Sequence, residues 1–277
     1  MPGPQGIPFD TPIVLRSWYG RQAPEGSPVG DQLKFAFIRG LYAIASDWRY
    51  IFMPDSANTT VNTDLSRHGV TNTFDASVAG NLTRLGSGLF WQLDGSADEL
   101  DTPDVDNHTF GDGASDTPFS VICLINPDVN DALMTIISKE ASSSAEEWAI
   151  ELTSSGHPAI TLTDESASAT IGRTDATAVG TGSWVYLAFT YDGSAALTGL
   201  NIYVGAVLLD DTDVTANTYV AMENTATNLL QVGAHYATEA QFFNGGIALA
   251  AVVAEDLGAD KVYAISELIN GYFDLNI

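Results

Sequence analysis

Trp184-Val-Tyr-Leu-Ala-Phe-Thr-Tyr-Asp-Gly193 is the stretch whose reading decides the fold. Its residues up to Tyr191 are β-branched, aromatic or aliphatic, and it closes on Asp-Gly, so it predicts a strand running into a turn. Side chains alternate along a strand. Val185, Leu187, Phe189 and Tyr191 therefore share one face, and Trp184, Tyr186, Ala188 and Thr190 share the other. Neither face carries a charge, which predicts a central strand with little of either face wetted. Leu200, Ile202 and Val204 then alternate with Asn201, Tyr203 and Gly205, a second strand beside the first.

The same rhythm extends outward from about residue 48 to the end. Strands are expected at 89–93, 98–101, 119–125, 134–139, 146–152, 159–163, 184–191, 199–204, 206–209, 228–233 and 246–254. The gaps are rich in Asp, Gly, Ser, Thr and Asn, the residues of turns. Many short strands with frequent turns predict an all-β fold: two antiparallel sheets forming a jelly-roll sandwich. Two segments break the rhythm. Residues 30–47 place Leu33, Phe37, Ile38, Leu41 and Ile44 at helical spacing, with Asp31 as cap; Gly40 weakens that helix, and a pair of short strands is its rival. Residues 258–271 form a late amphipathic helix with Val262, Ile265, Leu268 and Ile269 buried and Asp260 as N-cap. Residues 1–28 hold six of the eleven prolines, which predicts an extended arm. We therefore expect two units: 1–47, an arm and helix used for docking, and 48–277, the sandwich. Within the arm, Trp18 and Tyr19, with Arg16 and Arg21, are the expected docking residues, since large aromatics are poorly left in water.

Charge narrows the function classes. The net charge is −25, and residues 1–84 are neutral, with seven acidic and seven basic side chains. The rest of the chain carries the whole excess. A surface that acidic repels nucleic acid and anionic membrane. No run of eighteen apolar residues occurs, so membrane insertion is not expected. The N-terminal residues lack the basic and apolar blocks of a secretion signal, which leads to an expected origin in the cytoplasm. The single cysteine, Cys123, lies in the apolar run Phe119–Ile125 and is expected as a small core residue, with no disulfide framework and no cysteine metal site.

Five segments, taken in order, resemble the laminin-G-like, concanavalin A-like jelly-roll family. Met53 to Gly69 resembles the family's opening strand and its loop, with Arg67 where glycine is usual. Phe90-Trp-Gln-Leu-Asp-Gly-Ser-Ala-Asp-Glu-Leu100 resembles its "F-D-G-x-D-D-Y-V" turn, and Phe119 to Pro127 its "F-T-I-S-A-W-V-K-P" strand. Trp184 to Gly193 resembles "W-H-H-V-A-F-T-Y-D-G". Phe243 to Val253, with the helix that follows, resembles "F-x-G-x-I-D-E-V-R-I-Y-N" and its closing helix. The resemblance implies a concanavalin A-like sandwich, a fold that hosts lectins, adhesins, hydrolases and virion proteins. It also implies calcium, held by hard oxygen ligands at the rim. Asp94, Asp98 and Asp101 cluster in one turn and are the expected ligands; Ala248 stands where the family often adds another acid. The alternative is that these side chains cap backbone amides of the turn.

Other candidate sites are weaker. His235, Tyr236 and Phe242 are expected in a rim loop suited to stacking a sugar, whereas Trp91 and Trp148 are expected in the core. Glu147 and Glu151 share a strand face by alternation and are the nearest approach to the paired carboxylates of a glycosidase. No nucleophile elbow, Walker motif or dinucleotide fingerprint occurs. The expected function is thus non-enzymatic: a virion structural protein, as a phage capsid decoration or tail-associated component. Its partners would be other virion proteins bound through the N-terminal arm, and it would form a homo-oligomer. The alternative is an extracellular, lectin-like module that binds cell-surface glycans. A glycosidase is the third reading.

Overall fold

The computed structural model describes residues 29–54, 61–74, 82–142, 145–208, 211–216, 218–225, 227–235 and 241–277. The expected arm and its docking residues Arg16, Trp18, Tyr19 and Arg21 lie outside the described residues. In chain order the elements are α1 (Val29–Ile44), β1 (Trp48–Phe52), β2 (Val61–Thr63), β3 (Thr71–Phe74), β4 (Leu82–Leu85), β5 (Gly88–Asp94), β6 (Leu100–Thr102), β7 (Phe119–Pro127), β8 (Met134–Ser142) and β9 (Ala145–Leu152). They continue with β10 (Pro158–Asp164), β11 (Ala169–Asp175), β12 (Val185–Tyr191), β13 (Leu200–Val204), β14 (Val207–Leu208), β15 (Asp211–Ala216), β16 (Leu229–Val232), β17 (Asn244–Val253) and α2 (Ala259–Phe273).

The strands form two antiparallel sheets. One runs β14-β13-β12-β7-β17-β5-β4, with β1 also paired to β17. The other runs β15-β11-β10-β9-β8-β16-β6-β3-β2. Their facing sides interlock: Leu187, Phe189, Val121, Cys123, Ile125 and Val252 from the first sheet meet Trp148, Ile150, Ile160, Leu162, Leu230 and Val232 from the second. Cys123, Trp91 and Trp148 are core residues, as expected.

The opposite side of the first sheet is covered by the two helices. Phe37, Leu41 and Ala45 of the α1 region, with Val262, Ile265, Ile269 and Phe273 of α2, pack on Ile122, Leu124, Tyr186, Ala188, Leu249, Ala251 and Val253. Polar groups fix the seating: Trp48 Nε1 donates to the Leu41 carbonyl (3.0 Å) and Tyr186 Oη to the Val262 carbonyl (3.2 Å). This explains the uncharged double face of 184–191. One side of β12 faces the sandwich core and the other faces helices, and Tyr186 to Tyr191 are all buried.

Several expectations shift. α1, expected as part of a docking unit, packs on the eight-stranded sheet beside α2. Its helix starts upstream of Asp31, which falls inside the first turn instead of capping it. Gly40 weakens the helix intrinsically, yet a Cβ there would meet Leu268 of α2 at 2.8 Å, so glycine permits the close approach of the two helices. Gly258 occupies the N-cap of α2, and Asp260 lies in the first turn, where a carboxylate favours the helix dipole. Strands β1 to β4, β11 and β15 were not anticipated. β3, β4 and β15 are polar or half-exposed, as with Leu82–Leu85, whereas β1 is apolar and buried but only five residues long.

Candidate functional site

With helices on one sandwich face, the outer face of the nine-stranded sheet is the remaining broad surface. Cross-strand register identifies its residues, because partners directly opposite share a face. One row reads Thr73, Asp101, Gln231, Ser138, Ala149, Thr161 and Gly172 across β3, β6, β16, β8, β9, β10 and β11. A second row pairs Thr135 with Glu151, and a third pairs Glu140 with Glu146. The face is therefore small and neutral at its middle and acidic on both sides.

Residues 233–235 and 241–243 border this face. Ser138 Oγ donates to the Ala234 carbonyl, Thr135 N donates to the Gln241 carbonyl at 2.8 Å, and Phe243 N donates to the Gly233 carbonyl. His235 sits there, its Nε2 3.0 Å from Glu140 Oε2. This contact is a close approach of two uncharged groups, with no hydrogen bond formed by Glu140 Oε2 among the described residues. Burial first, then the charges of Glu146 and Glu151, push the Glu140 carboxyl up to about 9. Burial pushes His235 below its usual range. The proton therefore rests on Glu140, and both groups are neutral where they meet. Burial also raises Glu151 and Glu146; Thr135 Oγ1 lies 3.3 Å from Glu151 Oε1, and Glu146 has Glu165 as charged neighbour. Gln231 Nε2 donates to Asp101 Oδ1 at 2.7 Å. The result is a cluster of carboxyl, amide and imidazole groups (the recess), in which Thr135, Ser138, Gln231 and Glu140 are buried and Glu146, Glu151 and His235 are half-buried. Such groups bond hydroxyl-rich molecules through a few directed contacts.

The expected residues divide around this recess. His235 lines it, and Phe242 is half-buried within 241–243. Tyr236 lies outside the described residues. Asp101 joins the recess, but Asp94 and Asp98 do not join it as metal ligands. Asp94 Oδ1 accepts the amides of Ser96 (2.8 Å) and Ala97 (3.3 Å), and buried Asp98 accepts the Asp94 amide (3.0 Å). The three aspartates thus serve hydrogen bonds of the chain, and among the described residues no group of three His, Cys, Asp or Glu is arranged to hold a metal. Asp94 and Asp98 here follow the alternative reading of the turn, in which carboxylates accept backbone amides. Glu147 and Glu151 also part company. Lys139 pairs with Trp148 and Glu140 with Glu146, so Glu147 is the extra residue of a β-bulge. Its side chain enters a buried cluster with Lys139 and Asn228 instead of joining Glu151. Glu140, Glu146, Gln231 and Thr135 were missed by the sequence reading. The alternation Ser138, Glu140 against Ile137, Lys139 was its one local signal.

The family model for the concanavalin A-like lectin/glucanases superfamily (Laminin_G_3) matches residues 94–262, more than half of the chain. The chain belongs to this superfamily. Similar solved structures include one titled for the cell entry of botulinum neurotoxin type C through two ganglioside molecules. It has 14% identity, a TM-score of 0.58, and coverage of 82% of this chain and 52% of that one. The binding domain of botulinum neurotoxin serotype D/C VPI 5993 aligns at 15% identity and TM-score 0.59, covering 81% and 52%. The binding domain of Paraclostridial Mosquitocidal Protein 1 aligns at 13% and 0.57, covering 84% and 54%. This chain spans about half the length of those proteins, and at these identities the likeness shows a shared fold. No protein of curated function matches by sequence.

Proposed function

We propose that this chain is a non-enzymatic carbohydrate-binding module that seats a glycan on the outer face of the nine-stranded sheet, beside His235 and residues 241–243. The observation that carries the reading is the arrangement of Glu140, Glu146, Glu151, Gln231 and His235 on the sheet face that the helices leave uncovered. Membership in a superfamily of lectins and glucanases supports it, as does a type C toxin relative of the fold whose title names two gangliosides. The test is a panel of immobilised glycans, gangliosides included, probed with the whole chain and with His235→Ala and Glu151→Gln. Binding to a defined glycan that both substitutions weaken at least tenfold is expected. A panel with no ligand, or binding untouched by both, would sink the proposal.

The charge division favours a second reading of where such a module works. A neutral N-terminal third joined to a remainder carrying the whole −25 suits an anchored, outward-facing component of a virion, assembled as a homo-oligomer. Val207 and Leu208, exposed on edge strand β14, offer a surface for a second copy. Deleting residues 1–28 should leave the circular dichroism of the sandwich intact while abolishing assembly, read by sedimentation. An unchanged assembly state would refute the anchoring role.

A further inference from the structure

Lys139 stands in a row of side chains that face the sandwich interior, opposite Leu230 on β16 and Trp148 on β9. A lysine in such a row is unusual, because an ammonium is costly to take from water. It is fully buried, and so are two neighbours, Glu147 and Asn228. Lys139 Nζ lies 2.5 Å from the Asn228 backbone carbonyl, 2.5 Å from Asp104 Oδ1 and 3.8 Å from Glu147 Oε1. Asn228 Nδ2 donates to that same Glu147 oxygen at 3.1 Å. Asn228 Oδ1 is buried without a hydrogen-bond partner in the structure. An amine, a carboxamide and one bridging carboxylate are thus held together away from solvent.

The geometry points to an intramolecular amide cross-link between Lys139 and Asn228, with Glu147 carrying the proton. Nζ, once it has given a proton to Glu147, attacks Asn228 Cγ. The Nζ–Cγ bond forms, the Cγ–Nδ2 bond breaks, Glu147 hands its proton to the departing nitrogen, and the second proton shed by Nζ passes through the same carboxylate to the released ammonia, which leaves as ammonium. Overall, the lysine ammonium and the carboxamide become a secondary amide and an ammonium ion, with no oxidation or reduction. The positions fit each role. Glu147 Oε1 lies 3.8 Å from the nitrogen that must lose a proton and 3.1 Å from the nitrogen that must gain one. Burial pushes the Glu147 carboxyl up to about 7, offset in part by Lys139, so it can both take and release a proton near neutrality. Amine attack on an amide is slow in water, but held reactants gain effective concentrations of about 10⁵ M or more. The product removes a buried ammonium from the interior. The bond would join β8 to the segment entering β16, 89 residues away in the chain. With one cysteine, the chain has no internal disulfide to do this.

The experiment is the intact mass of the full chain under denaturing conditions, followed by proteolytic mapping. A mass short by one ammonia is expected, with a branched peptide joining the segments of Lys139 and Asn228 and no tryptic cleavage after Lys139. Lys139→Arg and Glu147→Gln should each restore the full mass. A full mass in the unsubstituted chain overturns the proposal without reference to any variant. So does a loss of water mapping to Asp104, or an ammonia loss mapping to Asn244 or Asn270, each of which precedes a glycine. Retention of the deficit in Glu147→Gln overturns the role given to the carboxylate.

Discussion

Replacing Glu140 by glutamine should stabilise the protein at alkaline pH and leave it unchanged in mild acid. Glu140 is 3% exposed, and its carboxyl is raised from 4.5 to about 9. A carboxyl whose folded value lies above its unfolded value contributes stability that is fully present below the unfolded value. That stability is lost as pH rises toward the folded value, because the unfolded chain ionises while the native chain keeps its proton. Each pH unit inside that window costs about 1.4 kcal/mol. Between about pH 5 and pH 8 the idealised loss is near ~4 kcal/mol; water reaching the half-buried Glu146 and Glu151 side reduces this to roughly 3 kcal/mol. At pH 5 the protonated acid and the glutamine amide are near-isosteric, and both are neutral beside His235. The assay is urea denaturation of both proteins across that range. Equal stability near pH 5 is expected, with the variant ahead by roughly 3 kcal/mol near pH 8, or roughly 5–10 °C in Tm for a chain this long. His108, pushed down to about 3 by burial and Lys139, responds to pH in the opposite sense. It is common to both proteins and drops out of the difference. A difference that stays flat with pH would refute the neutral Glu140–His235 pair.

Three further outcomes follow from particular contacts. Asp116 Oδ2 accepts the hydroxyls of Tyr191 and Tyr219, each at 2.6 Å, and Oδ1 accepts the Met222 amide at 2.9 Å. Asp116→Ala therefore leaves three donors without an acceptor and should cost about 2–4 kcal/mol in chemical denaturation. Leu41 is fully buried between α1 and the eight-stranded sheet, so Leu41→Ala should cost about 2–5 kcal/mol; a loss below ~1 kcal/mol would mean that α1 is not part of the cooperative unit. Asp94→Ala removes the acceptor for the amides of Ser96 and Ala97 and should cost about 1 kcal/mol equally with calcium or with chelator. A calcium-dependent Tm in the unsubstituted chain, lost in the variant, would restore a metal role to that turn.

How much was legible varies with the kind of signal. The segments Phe119–Pro127, Trp184–Gly193 and Phe243–Val253 are long and apolar, and in the structure they are the neighbouring strands β12, β7 and β17 at the centre of one sheet. Both their faces are buried, so burial wrote itself into every position. The polar recess has no such imprint. Its residues come from β6, β8, β9, β16 and the stretch 233–235, and each strand supplies one or two polar side chains that locally look like a solvated face. Pairing in register turns those scattered residues into a group, and a sequence does not state register.

The same reason separates the two fates of the glutamates. Alternation placed Glu147 beside Glu151, and a single bulge opposite Lys139 and Glu140 turned it inward to Lys139 and Asn228. The amino-acid sequence alone determined that this is a two-sheet sandwich with Trp184 to Gly193 at its heart, because apolar alternation is local and survives in one dimension. Tertiary structure decided which sheet face the helices cover, which acids meet His235, and that a lysine, a glutamate and an asparagine far apart in the chain share one dry pocket of the interior. Those depend on strand order, register and a bulge, which arise from contacts distant in sequence.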